Sequence, residues 1–309
     1  MSLGLVFPGQ GSQSVGMLAD IADTYPSVRE RFTEAGDAIG VALWDIVSTG
    51  PEAELQNTAI TQPALLTASY AIWEIWQAHS GTRPVALAGH SLGEYSALVC
   101  SGALSFTDGV KLVNRRGQLM QEAVPKGEGT MAAILGLDDA VVEACCQSVA
   151  GVVAAANYNA PGQTVIAGAT TAVHQAVDNC KEAGARRTVL LDVSGPFHCA
   201  LMLPARDALA AELAAVALAQ PSIPIVQNVD AAVTTSLDQL REKLLQQLAE
   251  PVLWTQCIQT MVSMGVEHII ECGPGRVLSG LVKRIDKSLT SGNLGTLDGL
   301  DKELGSGDA

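Results

Sequence analysis

The chain has 309 residues, 48% of them hydrophobic and 16% charged. That excludes a disordered chain and supports a large packed core, with room for a second, smaller unit. The formal charge of −14 repels phosphate polymers, and no basic, aromatic-interleaved stretch offsets it, which argues against a nucleic-acid partner.

In chain order, Leu3 to Phe7 is a short apolar run stopped by Pro8-Gly9, which predicts a buried first strand followed by a loop rich in Gly, Gln and Ser. The segment lacks the basic start and apolar length of a signal peptide. Periodicity predicts helices over 27–39 and 62–79, a buried strand at Val85 to Ala88, and a helix from Leu92 to Cys100 with no linker between the last two. Thr107-Asp108 caps a further helix to about Glu122.

Next come a strand (Thr130 to Leu135), a helix (Asp138 to Val149), strands at Val152 to Ala156 and Thr164 to Ala167 joined by Asn157 to Gly162, a helix (Thr171 to Ala183) and a strand (Arg187 to Val193). The order βαββαβ is the ferredoxin-like signature and places an inserted subdomain at 125–194, with 1–124 and 195–309 forming the large domain. Beyond it, a helix is predicted over 200–219, a strand at Ile225-Val226, helices over 236–248 and 253–264, a strand from Glu267 to Glu271, a Gly273-Pro274-Gly275 turn, and a helix from Val277 to Ile285. After Lys287 the chain is rich in Ser, Gly and Asp, and is expected to pack weakly. No stretch is long and apolar enough to span a bilayer. Seven scattered cysteines without a CxxC pair read as reduced thiols of a cytoplasmic protein, with no zinc site.

The strongest local signal is Gly89-His90-Ser91-Leu92-Gly93, which fits G-x-S-x-G. The pattern alone is weak, but here it lies directly between a predicted buried strand and a helix, the setting of a nucleophile elbow. Gly89 and Gly93 remove side chains where the turn crowds the backbone. An ordinary serine N-cap does not need both glycines, so Ser91 is the candidate nucleophile. An oxyanion hole needs two aimed N–H donors. The amide of Leu92 is one. The other candidate is the amide of Gln10, in a loop leaving the same carboxyl edge of the sheet, where a plain glycine turn is the alternative.

A serine needs a base. His79 lies near a helix end, His174 in a helix of the small unit, His268 at a strand start, and His90 beside Ser91, facing away from it. His198 lies where the chain re-enters the large domain, and such junctions line clefts, so it is the base by elimination. No carboxylate stands out as a third member. A backbone carbonyl can orient the imidazole instead.

Together these residues resemble the malonyl-CoA:acyl carrier protein transacylases of bacterial type II fatty acid synthesis, from about Leu5 to Lys287. The marks are Phe7 to Gln13, Thr61-Gln62-Pro63-Ala64, the serine motif, Arg116-Gly117, Asn157 to Gly162, Pro196-Phe197-His198 and Glu271 to Gly275. The resemblance implies an α/β fold with a hydrolase-like parallel-sheet large domain and a ferredoxin-like insertion. It implies Ser91 and His198 as the catalytic pair, Gln10 and Leu92 as oxyanion donors, and the backbone carbonyl of Gln247 as the group that orients the base. It also selects Arg116, not Arg115, to bind the malonyl carboxylate, a task suited to a guanidinium fork.

The implied substrate is malonyl-CoA and the implied partner an acyl carrier protein, with no metal and no bound cofactor. An acidic carrier needs a local basic patch, and Arg186-Arg187 and Lys283-Arg284 with Lys287 are candidates; solvated surface charge is the alternative. Phe197 departs from the small residue many bacterial members carry before the base. Its ring fills the space an α-methyl branch needs, which favours malonyl and leaves open a discrete polyketide acyltransferase. A serine esterase or thioesterase shares Ser91 and His198 but gives Arg116 no task.

Overall fold

The computed structural model describes residues 1–80 and 82–305. Its strands are β1 (Leu3–Phe7), β2 (Ala86–Gly89), β3 (Gly129–Leu135), β4 (Val153–Ala160), β5 (Gln163–Ala169), β6 (Arg187–Leu190), β7 (Ile225–Val226), β8 (His268–Glu271) and β9 (Thr290–Asn293). They form two sheets. The larger has the order β7-β2-β1-β8-β9, with every neighbouring pair parallel. Parallel strands are buried on both faces, which explains their unbroken apolar runs. Along β1, Leu5 and Phe7 enter one core and Val6 the other, while Leu87 and Ala88 divide in the same way along β2. This is the period-2 alternation of a pleated strand.

The helix Thr58–His79 lies across one face with almost its whole length buried. Pro63 sits inside it and cannot donate to the carbonyl of Ala59 four residues back. The Asn114 side chain donates to that carbonyl instead, at 2.7 Å. The helix begins earlier than predicted because Asn57 caps it, its side chain accepting from the Ala59 amide.

The second sheet is antiparallel, in the order β4-β5-β3-β6, as a βαββαβ unit of ferredoxin type requires. One face carries its own helices and a small core that includes Ile134, Ile166 and Val173. From the other face Met131 and Val165 join the main core. The loop expected from Asn157 to Gly162 is shorter, because β4 runs through two register shifts to Ala160. Beside them Tyr158 donates to the Val252 carbonyl at 3.0 Å, which ties the small unit to the large one.

As far as Gly305 the tail does not pack weakly; residues 306–309 lie outside the described residues. Thr290–Asn293 extends the parallel sheet as β9, and the helix Leu297–Gly305 follows. The polar composition conceals three well-spaced anchors, Leu289, Leu294 and Leu300, all buried. The helix predicted over 200–219 stops at Ala215, and the strand predicted to Val193 stops at Leu190.

Candidate active site

The site starts at the carboxyl end of β2. The chain turns from Gly89 into the helix Leu92–Cys100 within two residues, which forces Ser91 to φ 52 and ψ −106. A non-glycine residue there is strained. The turn closes only because two side chains are missing. A Cβ on Gly89 would overlap the Gly93 carbonyl, and one on Gly93 the Phe7 carbonyl. The strain is held by side chains: Asn228 Oδ1 accepts from the Ser91 amide at 2.8 Å, and Gln247 Nε2 donates to the Ser91 carbonyl at 3.0 Å.

His198 is buried and lies 2.7 Å from Ser91 Oγ through Nε2. Its Nδ1 is 2.7 Å from the Gln247 carbonyl. A carbonyl only accepts, so Nδ1 carries the proton and Nε2 presents its lone pair to the serine hydroxyl. Burial, and then the nearby Arg116 cation, push the imidazole down to about 3, so the ring is neutral at working pH. His90 turns to Asn159 at 2.8 Å, and Asp192 is exposed.

Arg116 is 1% exposed. It donates to Gln62 Oε1 at 2.9 Å, Gln247 Oε1 at 2.9 Å and Ser91 Oγ at 3.2 Å, and its guanidinium carbon lies 5.2 Å from the Tyr95 ring centre. Among the described residues no carboxylate forms an ion pair with it, whereas Arg115, one residue away, faces outward to Glu212 at 3.4 Å. Burial lowers the affinity of the guanidinium for its proton.

A cavity of about 300 Å³ opens over these groups. It is lined by Gln10, Ser91, Leu92, Arg116, Phe197 and His198, with Met131 and Leu191 from the antiparallel unit. Among the described residues, the backbone amides of Gln10 and Leu92 meet no protein acceptor. Gln247 is buried behind His198. The structure therefore brings together all seven residues singled out from the sequence. The basic clusters lie apart from the cavity, with Arg186, Arg187, Lys283, Arg284 and Lys287 exposed. No group of three or more His, Cys, Asp or Glu among the described residues is arranged to hold a metal ion.

Sequence reasoning missed Gln62, Glu94 and Asn228. Glu94 had a signal: it is the one charged residue in a helix whose nine residues are all buried. Gln62 and Asn228 carried none, since neutral amides are common on surfaces.

A parallel α/β core with a serine–histidine pair on a strand-to-helix elbow, roofed by a ferredoxin-like unit, defines a serine acyltransferase. Comparison with known proteins agrees. Residues 5–300 match the acyl transferase domain family. The malonyl CoA-acyl carrier protein transacylase of Escherichia coli K12 is 54% identical over 291 residues, 94% of each chain, and that of Bacillus subtilis is 44% identical over 93% of this chain and 91% of that one. The crystal structure of malonyl-CoA:acyl carrier protein transacylase from Xanthomonas oryzae pv. oryzae superposes with a TM-score of 0.97 at 50% identity, covering 99% of both chains. A malonyl-transacylase in complex with a type II polyketide synthase acyl carrier protein gives 0.98 at 48% identity, over 99% of this chain and 100% of that one. The chain belongs to the malonyl-CoA:acyl carrier protein transacylases.

Proposed function

We propose that this chain moves a malonyl group from malonyl-CoA to the phosphopantetheine thiol of an acyl carrier protein, through an ester on Ser91, and so supplies malonyl units for fatty acid synthesis. The observation that carries the reading is Arg116. A buried cation with no ion-pair partner is costly, and this one lies 3.2 Å from Ser91 Oγ, where the free carboxylate of a malonyl ester can meet it in bidentate fashion.

His198 Nε2 takes the Ser91 proton as Oγ adds to the thioester carbonyl, and the unpaired amides of Gln10 and Leu92 receive the developing oxyanion. The Gln247 carbonyl holds the resulting imidazolium at Nδ1. The carbon–sulfur bond breaks, and CoA leaves as a thiol with the proton from Nε2. The carrier thiol then gives its proton to Nε2 and its sulfur adds to the ester. Collapse returns that proton to Ser91 Oγ. One thioester replaces another, so the transfer runs in both directions. No step is routed through a metal or bound cofactor.

Phe197 supports malonyl over methylmalonyl, since its buried ring lines the cavity. A cytoplasmic setting suits seven buried free thiols and the lack, among the described residues, of a helix able to cross a membrane. The exposed Lys283, Arg284 and Lys287 form the proposed carrier-docking patch. Division of the chain at 125 and 194 is supported by the antiparallel strands, which all lie within 129–190.

The likeness to a transacylase bound to a polyketide synthase carrier favours one second reading, a discrete acyltransferase of a polyketide pathway. Incubation with malonyl-CoA is expected to leave a malonyl adduct on Ser91, seen by intact mass, absent from Ser91→Ala and discharged by a carrier. An undiminished adduct in Ser91→Ala sinks the mechanism. Discharge by a polyketide carrier alone selects the second reading.

A further inference from the structure

Glu94 stands one helical turn below the nucleophile, 1% exposed, and every hydrogen bond its side chain makes is one it accepts. Oε2 takes the Gln247 side-chain amide at 2.8 Å and the Asn228 backbone amide at 3.0 Å. Oε1 takes Gln227 Nε2 at 3.4 Å. Two of these donors hold the reacting groups. Asn228 clamps the elbow from both sides, accepting from the Ser91 amide at 2.8 Å and donating to the Gly89 carbonyl at 2.7 Å. Gln247 holds His198 through its backbone carbonyl and Arg116 through Oε1, at 2.7 and 2.9 Å. A single carboxylate oxygen is thus shared by the residue that fixes the nucleophile and the residue that aims the base.

We propose that Glu94 is a positioning residue that keeps Ser91 and His198 in register, by binding Asn228 and Gln247 through the same oxygen. It touches neither substrate nor reacting atoms. The strained Ser91 backbone needs support from outside its own turn, and Asn228 lies 137 residues away in sequence. Asn228 lies in a loop and Gln247 on the helix Leu237–Ala249. Their one direct link is a long hydrogen bond from Gln247 Nε2 to Asn228 Oδ1 at 3.3 Å, and the shorter bonds to Glu94 Oε2 add the common acceptor that sets one against the other. The proposal rests on Ser91 and His198 being the reacting pair, whatever acyl group they carry.

The role is one of acceptor geometry, which separates three variants of the full chain. Glu94→Gln keeps an oxygen at the Oε2 position. Its new amide then faces Gln227, whose Oε1 has no partner and becomes the acceptor when that amide rotates. Glu94→Asp keeps the carboxyl group but withdraws the oxygen by one methylene. Glu94→Ala removes it. The readouts are the rate at which a fluorophosphonate labels Ser91, per folded molecule, and the kcat and KM of malonyl-CoA loading. Labelling by Glu94→Gln is expected within about threefold of wild type, and Glu94→Asp and Glu94→Ala about 10²-fold slower, the usual cost of a small misplacement of reacting groups. The loss in loading falls mainly on kcat.

Glu94→Asp faster than Glu94→Gln, or Glu94→Ala within threefold of wild type, overturns the proposal. The order of Gln and Asp decides it if Glu94→Ala does not fold. Labelling needs no malonyl group. A wild type that is labelled yet takes no malonyl therefore refutes the proposed function and leaves this inference standing; a wild type that is not labelled removes both.

Discussion

Arg116→Ala separates substrate recognition from general activity. The guanidinium is buried and, among the described residues, has no carboxylate partner, and it donates to Ser91 Oγ at 3.2 Å. Removing one member of a buried ion pair costs about 3–5 kcal/mol, because the other charge is left unpaired. The cavity admits water, which places the malonyl case at the lower end, near 3 kcal/mol, or about 10² in kcat/KM. Acetyl-CoA has no carboxylate. For it the variant loses no ion pair; of the three hydrogen bonds Arg116 makes, only the one to Ser91 reaches a reacting atom, a net of about 1 kcal/mol or roughly fivefold. Self-acylation of Ser91 by the two thioesters, followed by intact mass on a rapid-quench time course, reads both numbers in one preparation. Arg116→Lys restores charge without the planar fork and should recover malonyl transfer only in part. Equal losses for malonyl and acetyl would show that Arg116 supports the serine and does not read the carboxylate.

Gly89→Ala places a Cβ on the Gly93 backbone, which has no flexible end to move. It is expected to lose more than about 3 kcal/mol of stability and most Ser91 reactivity, and a variant that melts and labels like wild type contradicts the elbow argument. His198 in the folded chain is pushed down to about 3 from its ordinary 6.5. The unfolded chain therefore binds a proton below 6.5 that the native site refuses, and stability present above pH 6.5 is lost as pH falls toward 3. Urea titrations should show this slope in wild type and a shallower one in His198→Gln; equal slopes mean the ring is charged in the native site. Leu300→Ala tests the C-terminal helix. Leu300 is fully buried, so truncation should cost about 2–4 kcal/mol in denaturant unfolding, while a loss under about 1 kcal/mol means the helix adds little.

The elbow was legible because its chemistry is local. Five consecutive residues between a strand and a helix carry the steric argument, and Ser91 follows from it without knowledge of any distant part. The small unit was legible for a related reason: six elements in the order βαββαβ have few ways to form one sheet. The tail was not, since three buried leucines spaced along a polar segment produce no sustained periodicity. Glu94 was passed over although it is the one charged residue of its helix, because a lone carboxylate is most often a solvated one.

What the sequence determined by itself is the alternation that buries the parallel strands on both faces, the glycine-framed turn, and the serine it presents, since each depends on neighbours within a few residues. The tertiary structure decided which cation faces the serine. Arg115 and Arg116 are about 100° apart on one helix, and only the packing of that helix turns Arg116 inward to Gln62 and Arg115 outward to Glu212. It also decided what holds the base. His198 is 107 residues from Ser91 and 49 from Gln247, and their hydrogen bonds exist only once the segments before and after the small unit pack together at the sheet edge.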